Sequence, residues 1–193
     1  MFLLEFARSP LTVGAIAPSG PALARVATAV VPRTGAPVVV ELGPGTGAFT
    51  GAIQRRLAGR GRHIAVEVNP RFAQRLAARH PGVDVVTADA TDLAAVLADR
   101  GLRAADVVVS GLPWAAFAET DRRDALSALV ATLPPHGALT TFAYVHARWA
   151  PPARSLLRSL RSRFDEVAIS RTVWANLPPA LVYCCRRPIE RGR

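Results

Sequence analysis

A glycine loop and two acidic residues, spaced through the first half of the chain, have the makings of a site for a ligand rich in hydroxyl and amino groups. The loop is Glu41-Leu42-Gly43-Pro44-Gly45-Thr46-Gly47. Gly43, Gly45 and Gly47 let the backbone turn sharply and approach a ligand with no Cβ in the way, and the helix that follows offers its amino terminus. Glu67, with Val68 beside it, lies 20 residues beyond Gly47. At that spacing a carboxylate can accept hydrogen bonds from both hydroxyls of a ribose. At Asp89-Ala90 a carboxylate and the next backbone amide could read an adenine edge, whereas Asp92 reads as a helix cap. Pro44 removes an amide that would face a pyrophosphate, which favours an adenosyl ligand lacking phosphate over a dinucleotide.

A second constellation is Ser110-Gly111-Leu112-Pro113-Trp114. The residue before a proline is driven into extended backbone. The carbonyls so exposed could accept hydrogens from an amine and aim its lone pair at an electrophilic carbon. Trp114, Phe117, Tyr144 and Trp149 are candidates for an aromatic wall around a nitrogen that becomes cationic, with Phe142 assigned to the core. Tyr144 is expected to touch substrate. His146 could act as a general base or be a plain loop residue, and His63, His80 and His136 are expected to have no catalytic part.

These residues need strand ends to bring them together. Ser19 or Gly20 caps a helix that starts at Pro21 and runs to about Val31. The apolar run Val38 to Val40 reads as a buried strand, followed by a helix to about Leu57. Strands at 63–66, 83–87 and 106–109 then alternate with helices at 71–79 and 93–99. A helix at 122–133, a turn at 134–137 and a strand at 138–144 follow. A helix at 154–161 and strands at 166–173 and 180–184 close the chain. The fold expected is α/β: a Rossmann-like seven-stranded, mostly parallel sheet with an antiparallel C-terminal strand and helices on both faces. The 193 residues are expected to make one domain, with 1–31 a helical cap segment and 36–193 the catalytic core.

The run Val-Glu-Leu-Gly-Pro-Gly-Thr-Gly at 40–47 resembles the first motif of class I methyltransferases. That resemblance implies S-adenosyl-L-methionine as cofactor, with Glu41 and the glycine backbone on the methionine part, Glu67 on the ribose and Asp89 on the adenine. Ser110 to Trp114 resembles the Asn-Leu-Pro-Tyr type loop of amino methyltransferases, with Ser110 in the place of Asn or Asp. Five segments together resemble the bacterial phospholipid N-methyltransferases, which methylate phosphatidylethanolamine: Phe6 to Pro10, Val13 to Ser19, Ser110 to Pro113, Phe142 to Tyr144 and Asn176 to Ala180. The likeness implies Ser110, Leu112, Trp114 and Tyr144 as acceptor-side residues. Trp114 and the Val145-to-Trp149 segment depart from that family's pattern, so a small natural product bearing an amine, phenol or acidic carbon is the alternative acceptor.

Composition bounds the partners. The net charge is +10 and all 24 basic residues are arginine, which suits a polyanion or an anionic bilayer; a solvated surface of no specific use is the plain alternative. Arg154, Arg158 and Arg161 make a basic stripe opposite Leu156, Leu157 and Leu160. Phe2, Leu3, Leu4 and Phe6 with Arg8 read as a membrane-dipping helix or a lid over the cofactor. Ribosomal RNA adenine methyltransferases share the loop and the charge, but no carboxy-terminal helical domain follows Cys185, so nucleic acid is not the expected partner. Cys184 and Cys185 are adjacent and can form neither a fold-stapling disulfide nor a metal site, and read as reduced thiols of a cytoplasmic protein. No signal peptide or membrane span is legible, so membrane contact is expected to be peripheral, at the inner face.

Overall fold

A computed structural model describes residues 19–189. The expected membrane-dipping segment Phe2–Arg8 and all of Val13–Ser19 but its last residue lie outside the described residues.

The β-branched apolar runs form the strands. They are β1 (Val38–Leu42), β2 (Arg62–Glu67), β3 (Asp84–Thr87), β4 (Val107–Ser110), β5 (Ala138–Tyr144), β6 (Phe164–Ile169) and β7 (Ala180–Pro188). They make one sheet in the order β3-β2-β1-β4-β5-β7-β6, in which β7 is antiparallel to both neighbours. Chain order reverses between β1 and β4, so the crevice for a ligand lies over those two carboxyl ends.

Among the described residues six α-helices cover the sheet: α1 (Pro21–Ala27), α2 (Thr50–Leu57), α3 (Pro70–Arg79), α4 (Leu93–Ala98), α5 (Glu119–Val130) and α6 (Pro151–Arg161). Alternation along β1 divides the core. Val40 and Leu42 pack with α4, α5 and α6, whereas Val39 packs with Leu23, Ala27, Phe49 and Ile53 under α1 and α2. In α6 Leu156 and Leu160 are buried while Arg154, Arg158 and Arg161 are exposed, so the basic stripe faces solvent.

Several boundaries move for visible reasons. α1 stops at Ala27, where the Thr28 hydroxyl donates back to the Ala24 carbonyl at 2.8 Å. α5 starts three residues earlier than expected and ends at Val130; α6 starts at Pro151 because proline suits a first helical turn. β6 ends at Ile169, since Ser170 Oγ takes the Val182 amide at 2.9 Å, and Val173 keeps only an isolated bridge to Ala180. Asp92 makes no capping bond; the cap is Asp89, which accepts from the Thr91 amide.

Candidate active site

Each expected contact residue stands at or just past the carboxyl end of its strand, Glu41 on β1, Glu67 on β2, Asp89 after β3 and Ser110 on β4. The glycine loop leaves β1 through Gly43, at φ +64°, whose amide donates to the Val66 carbonyl at 2.9 Å. A Cβ there would come 2.6 Å from Leu112 Cδ2. The reciprocal approach is to backbone rather than to a side chain. A Cβ on Gly111 would sit 2.7 Å from the Gly43 carbonyl oxygen, and the Gly111 amide donates to Leu42 O at 2.8 Å. The glycine loop and the loop after β4 therefore touch backbone to backbone, a contact that only a residue without a side chain permits. The sequence held this glycine in plain sight, but nothing in its neighbours said what it faced.

Glu67 is buried, and its two oxygens accept from Gly45 N–H at 3.0 Å and Asn69 N–H at 2.9 Å. Burial pushes its carboxyl above the usual glutamate range; the amides of Asn69, Gly45 and Val68 oppose this, and the Glu41 carboxylate adds to it. Each carboxylate oxygen has a second lone-pair direction, so both amides can stay bonded while two ribose hydroxyls approach. Asp89 Oδ1 takes both Thr91 N–H and Thr91 Oγ1 at 2.9 Å, leaving Oδ2 for a ligand's amino group, with Ala90 buried beside it.

Glu41 has no exposed surface. Its Oε2 accepts from Thr50 Oγ1 at 2.7 Å and lies 3.2 Å from His63 Nε2, and Gln54 holds the other His63 ring nitrogen at 2.9 Å. This buried chain, with His63 in it, fastens α2 to β1 and β2 beneath the loop. Among the described residues Glu41 Oε1 has no donor, which leaves it an orphan acceptor at the loop's foot.

On the acceptor side the expected aromatic wall does not assemble. Trp114 is 1 % exposed, packs on Phe117 at 5.5 Å between ring centroids and donates its indole N–H to Ser110 Oγ at 2.9 Å. A buried indole needs an acceptor, and Ser110 supplies it, so these two residues account for one another. The Ser110 hydroxyl also takes the Leu112 amide at 3.3 Å and braces the loop from within. Trp149 stands 72 % exposed with the Arg148 guanidinium 4.4 Å above its ring. Tyr144 is half-buried and continues a row that sequence reading missed: Phe49 edge-on to Phe142 at 6.0 Å, Phe142 edge-on to Tyr144 at 5.6 Å, and Tyr144 stacked on His146 at 5.7 Å. Burial keeps the Tyr144 phenol protonated beyond its usual range.

Of the loop carbonyls, Leu112 O accepts from Trp114 N–H at 3.0 Å and Pro113 O from Ala116 N–H at 2.8 Å. Among the described residues no donor meets Gly111 O, which narrows the expected acceptor-aligning carbonyl from Leu112 to Gly111.

Residues 39–137 match the family described as a methyltransferase domain. The chain belongs to the class I methyltransferases that use S-adenosyl-L-methionine. It is 36% identical over 192 residues to an ornithine lipid N-methyltransferase of Singulisphaera acidiphila, covering 96% of this chain and 94% of that protein. Solved structures agree on the fold. A SAM-dependent O-methyltransferase from Thermotoga maritima superposes with TM-score 0.67 at 13% identity, over 99% of this chain and 73% of that one. A TehB-like SAM-dependent methyltransferase from Corynebacterium glutamicum gives 0.61 at 15% identity, over 96% and 98%. The donor and acceptor set fits this cofactor: two carboxylates with spare lone pairs for hydroxyl and amino hydrogens, an orphan carboxylate oxygen at the loop's foot, and a loop lacking the amide that a pyrophosphate would want.

Proposed function

We propose that the protein N-methylates an amine-bearing membrane lipid, phosphatidylethanolamine or an ornithine lipid, from the surface of an anionic bilayer on the cytoplasmic side. The observation that carries this reading is the 36% identity, across nearly both whole chains, to an ornithine lipid N-methyltransferase. Bound S-adenosylmethionine supplies a sulfonium methyl that needs neither metal nor covalent intermediate. Glu67 holds the ribose, Asp89 and the Ala90 amide read the adenine, Val68 flanks it, and Glu41 Oε1 with the Gly43, Gly45 and Gly47 backbone receives the methionine part. The Gly111 carbonyl accepts a hydrogen from the neutral amine and fixes the direction of its lone pair, the alignment that in-line displacement most requires. Tyr144 flanks the nitrogen as it becomes cationic.

Exposure at the same end of the sheet supports a lipid. β7 begins beside the end of β5, and Val145 N–H donates to Pro179 O at 2.9 Å, so the loops after β5 and before β7 adjoin over the strand ends that hold the site. They present Trp149, Trp174 and Leu177, which are 72, 75 and 76 % exposed, alongside exposed Arg148 and Arg171. Residues 145–154 and 170–179 contain no acid. Tryptophan and arginine together favour the headgroup layer of a bilayer. No helix among the described residues is long and apolar enough to cross one. Replacing Trp149 and Trp174 together by alanine is expected to lower sedimentation with anionic vesicles about tenfold or more, since each ring buries an aromatic's worth of apolar area. Unchanged binding at equal folding would remove this rim from the membrane surface.

Glu67 gives a pH signature. Ribose hydroxyls need its ionised form, and burial raises its pKa, so on acidification cofactor affinity should begin to fall above the ordinary glutamate range. Glu67→Gln should flatten that limb in a calorimetric pH series; a limb that persists in the variant belongs to another group.

The acceptor class is tested by offering labelled S-adenosylmethionine with phosphatidylethanolamine vesicles, ornithine lipid vesicles, soluble amines and phenols, and ribosomal RNA. Label in the lipid extract supports the proposal. Label only in a soluble amine or phenol assigns the protein to small-molecule tailoring, and label in RNA assigns it to nucleic acid.

A further inference from the structure

A cleft of about 640 Å³ opens between the loop after β4 and the start of α6, lined by Phe117, Glu119, Arg122, Pro151, Ser155 and Arg158 among others. Arg122 is its unusual member. It is 3 % exposed and lies in the first turn of α5, where the helix dipole disfavours a cation. One guanidinium nitrogen donates to Ser155 Oγ at 2.8 Å and another to Phe117 O at 3.4 Å, while Nε has no partner among the described residues. Among the described residues no carboxylate lies within ion-pair distance of Arg122 or Arg158; Glu119, at the edge, is exposed. A buried cation with neither counter-charge nor full hydrogen bonding is costly, and a ligand that brings a negative oxygen removes that cost. The second helix end adds to the field. α6 starts from Ala150 with no side-chain cap and no acid in its first turn, so its positive pole is unneutralised at the cleft wall.

We propose that this cleft is an oxyanion site for a phosphate or carboxylate group, with Arg122 as the buried donor and Arg158 as the exposed one. The proposal rests on the lipid reading only for the source of the anion: a headgroup whose amine is the methyl acceptor carries such a group, and a free anion carries the same chemistry.

The test is calorimetric titration of inorganic phosphate into the full chain at constant ionic strength, then displacement by a short-chain phosphatidylethanolamine kept below its micelle concentration. Arg158→Gln should weaken phosphate about tenfold, the share of one charge-assisted contact. Arg122→Gln should weaken it further. Arg154→Gln, on the same helix but outside the cleft, should leave it unchanged. Displacement by the lipid assigns the site to a headgroup, and phosphate binding without displacement assigns it to a soluble anion; either supports an oxyanion site. Equal affinity in Arg158→Gln, or an equal loss in Arg154→Gln, overturns it, and since both residues are exposed neither result depends on whether Arg122→Gln folds. Failure here with lipid methylation intact leaves the proposed function standing, and the reverse result leaves the oxyanion site standing.

Discussion

Replacing Glu67 by alanine is expected to lower the affinity for S-adenosylmethionine by a factor of about one hundred or more. Two hydroxyl hydrogen bonds to a carboxylate are lost, each worth about 1.5 to 3 kcal/mol, and a hundredfold corresponds to about 2.7 kcal/mol. The change also strips the Gly45 and Asn69 amides of their acceptor, so the glycine loop loses the tie that holds its middle to β2. Glu67→Gln separates the two effects, because an amide oxygen can keep one backbone donor while the charge is gone. The expected order of affinity is wild type, then glutamine, then alanine, read by calorimetry on protein whose circular dichroism is unchanged. An alanine variant that binds as the wild type does would contradict the ribose role.

Gly111→Ala is expected to cut kcat/KM by about a hundredfold or more, since a displacement near 1 Å at a reacting centre has that effect. The new Cβ would stand 2.7 Å from the Gly43 carbonyl oxygen and 3.5 Å from Leu42 O, both backbone atoms that no rotamer change can clear. The acceptor loop must move off the glycine loop, carrying the Gly111 carbonyl with it. Gly101→Ala is the matched control: φ there is +67° with nothing within 4 Å of a new Cβ. It should cost about 1 kcal/mol of stability, the ordinary penalty of left-handed backbone, and leave kcat/KM alone. Equal activity in the two variants would show that the loop contact does not position the reaction.

The parts of the site that repeat with the strands were legible from residue order, because Glu41, Glu67, Asp89 and Ser110 each close an apolar run and parallel strands deliver their ends to one edge. What could not be read was direction. An aromatic after Leu-Pro suits a substrate wall or a core equally well, and only the Ser110 hydroxyl beneath the Trp114 indole decides for the core. His63 reads as a strand-edge residue until β2 turns it toward Glu41. Arg122 reads as the start of a helix, and its burial depends on α6 arriving 33 positions later. Asn176 opens the Asn176-to-Ala180 motif, yet one of its partners is remote: Oδ1 takes the Gly20 amide at 2.8 Å while Nδ2 donates to Pro178 O at 2.7 Å. It fastens the start of α1 to the loop before β7 across 156 residues, and no local pattern encodes such a pairing.

The central claim is that the methyl group goes to the nitrogen of a lipid headgroup. It is tested most directly by fragmenting the lipid recovered from vesicles incubated with the protein and methyl-labelled S-adenosylmethionine. The account predicts label on the headgroup nitrogen, with one S-adenosylhomocysteine formed for each methyl added. Unlabelled lipid in the presence of bound cofactor, or label on an oxygen or carbon of the product, would contradict it.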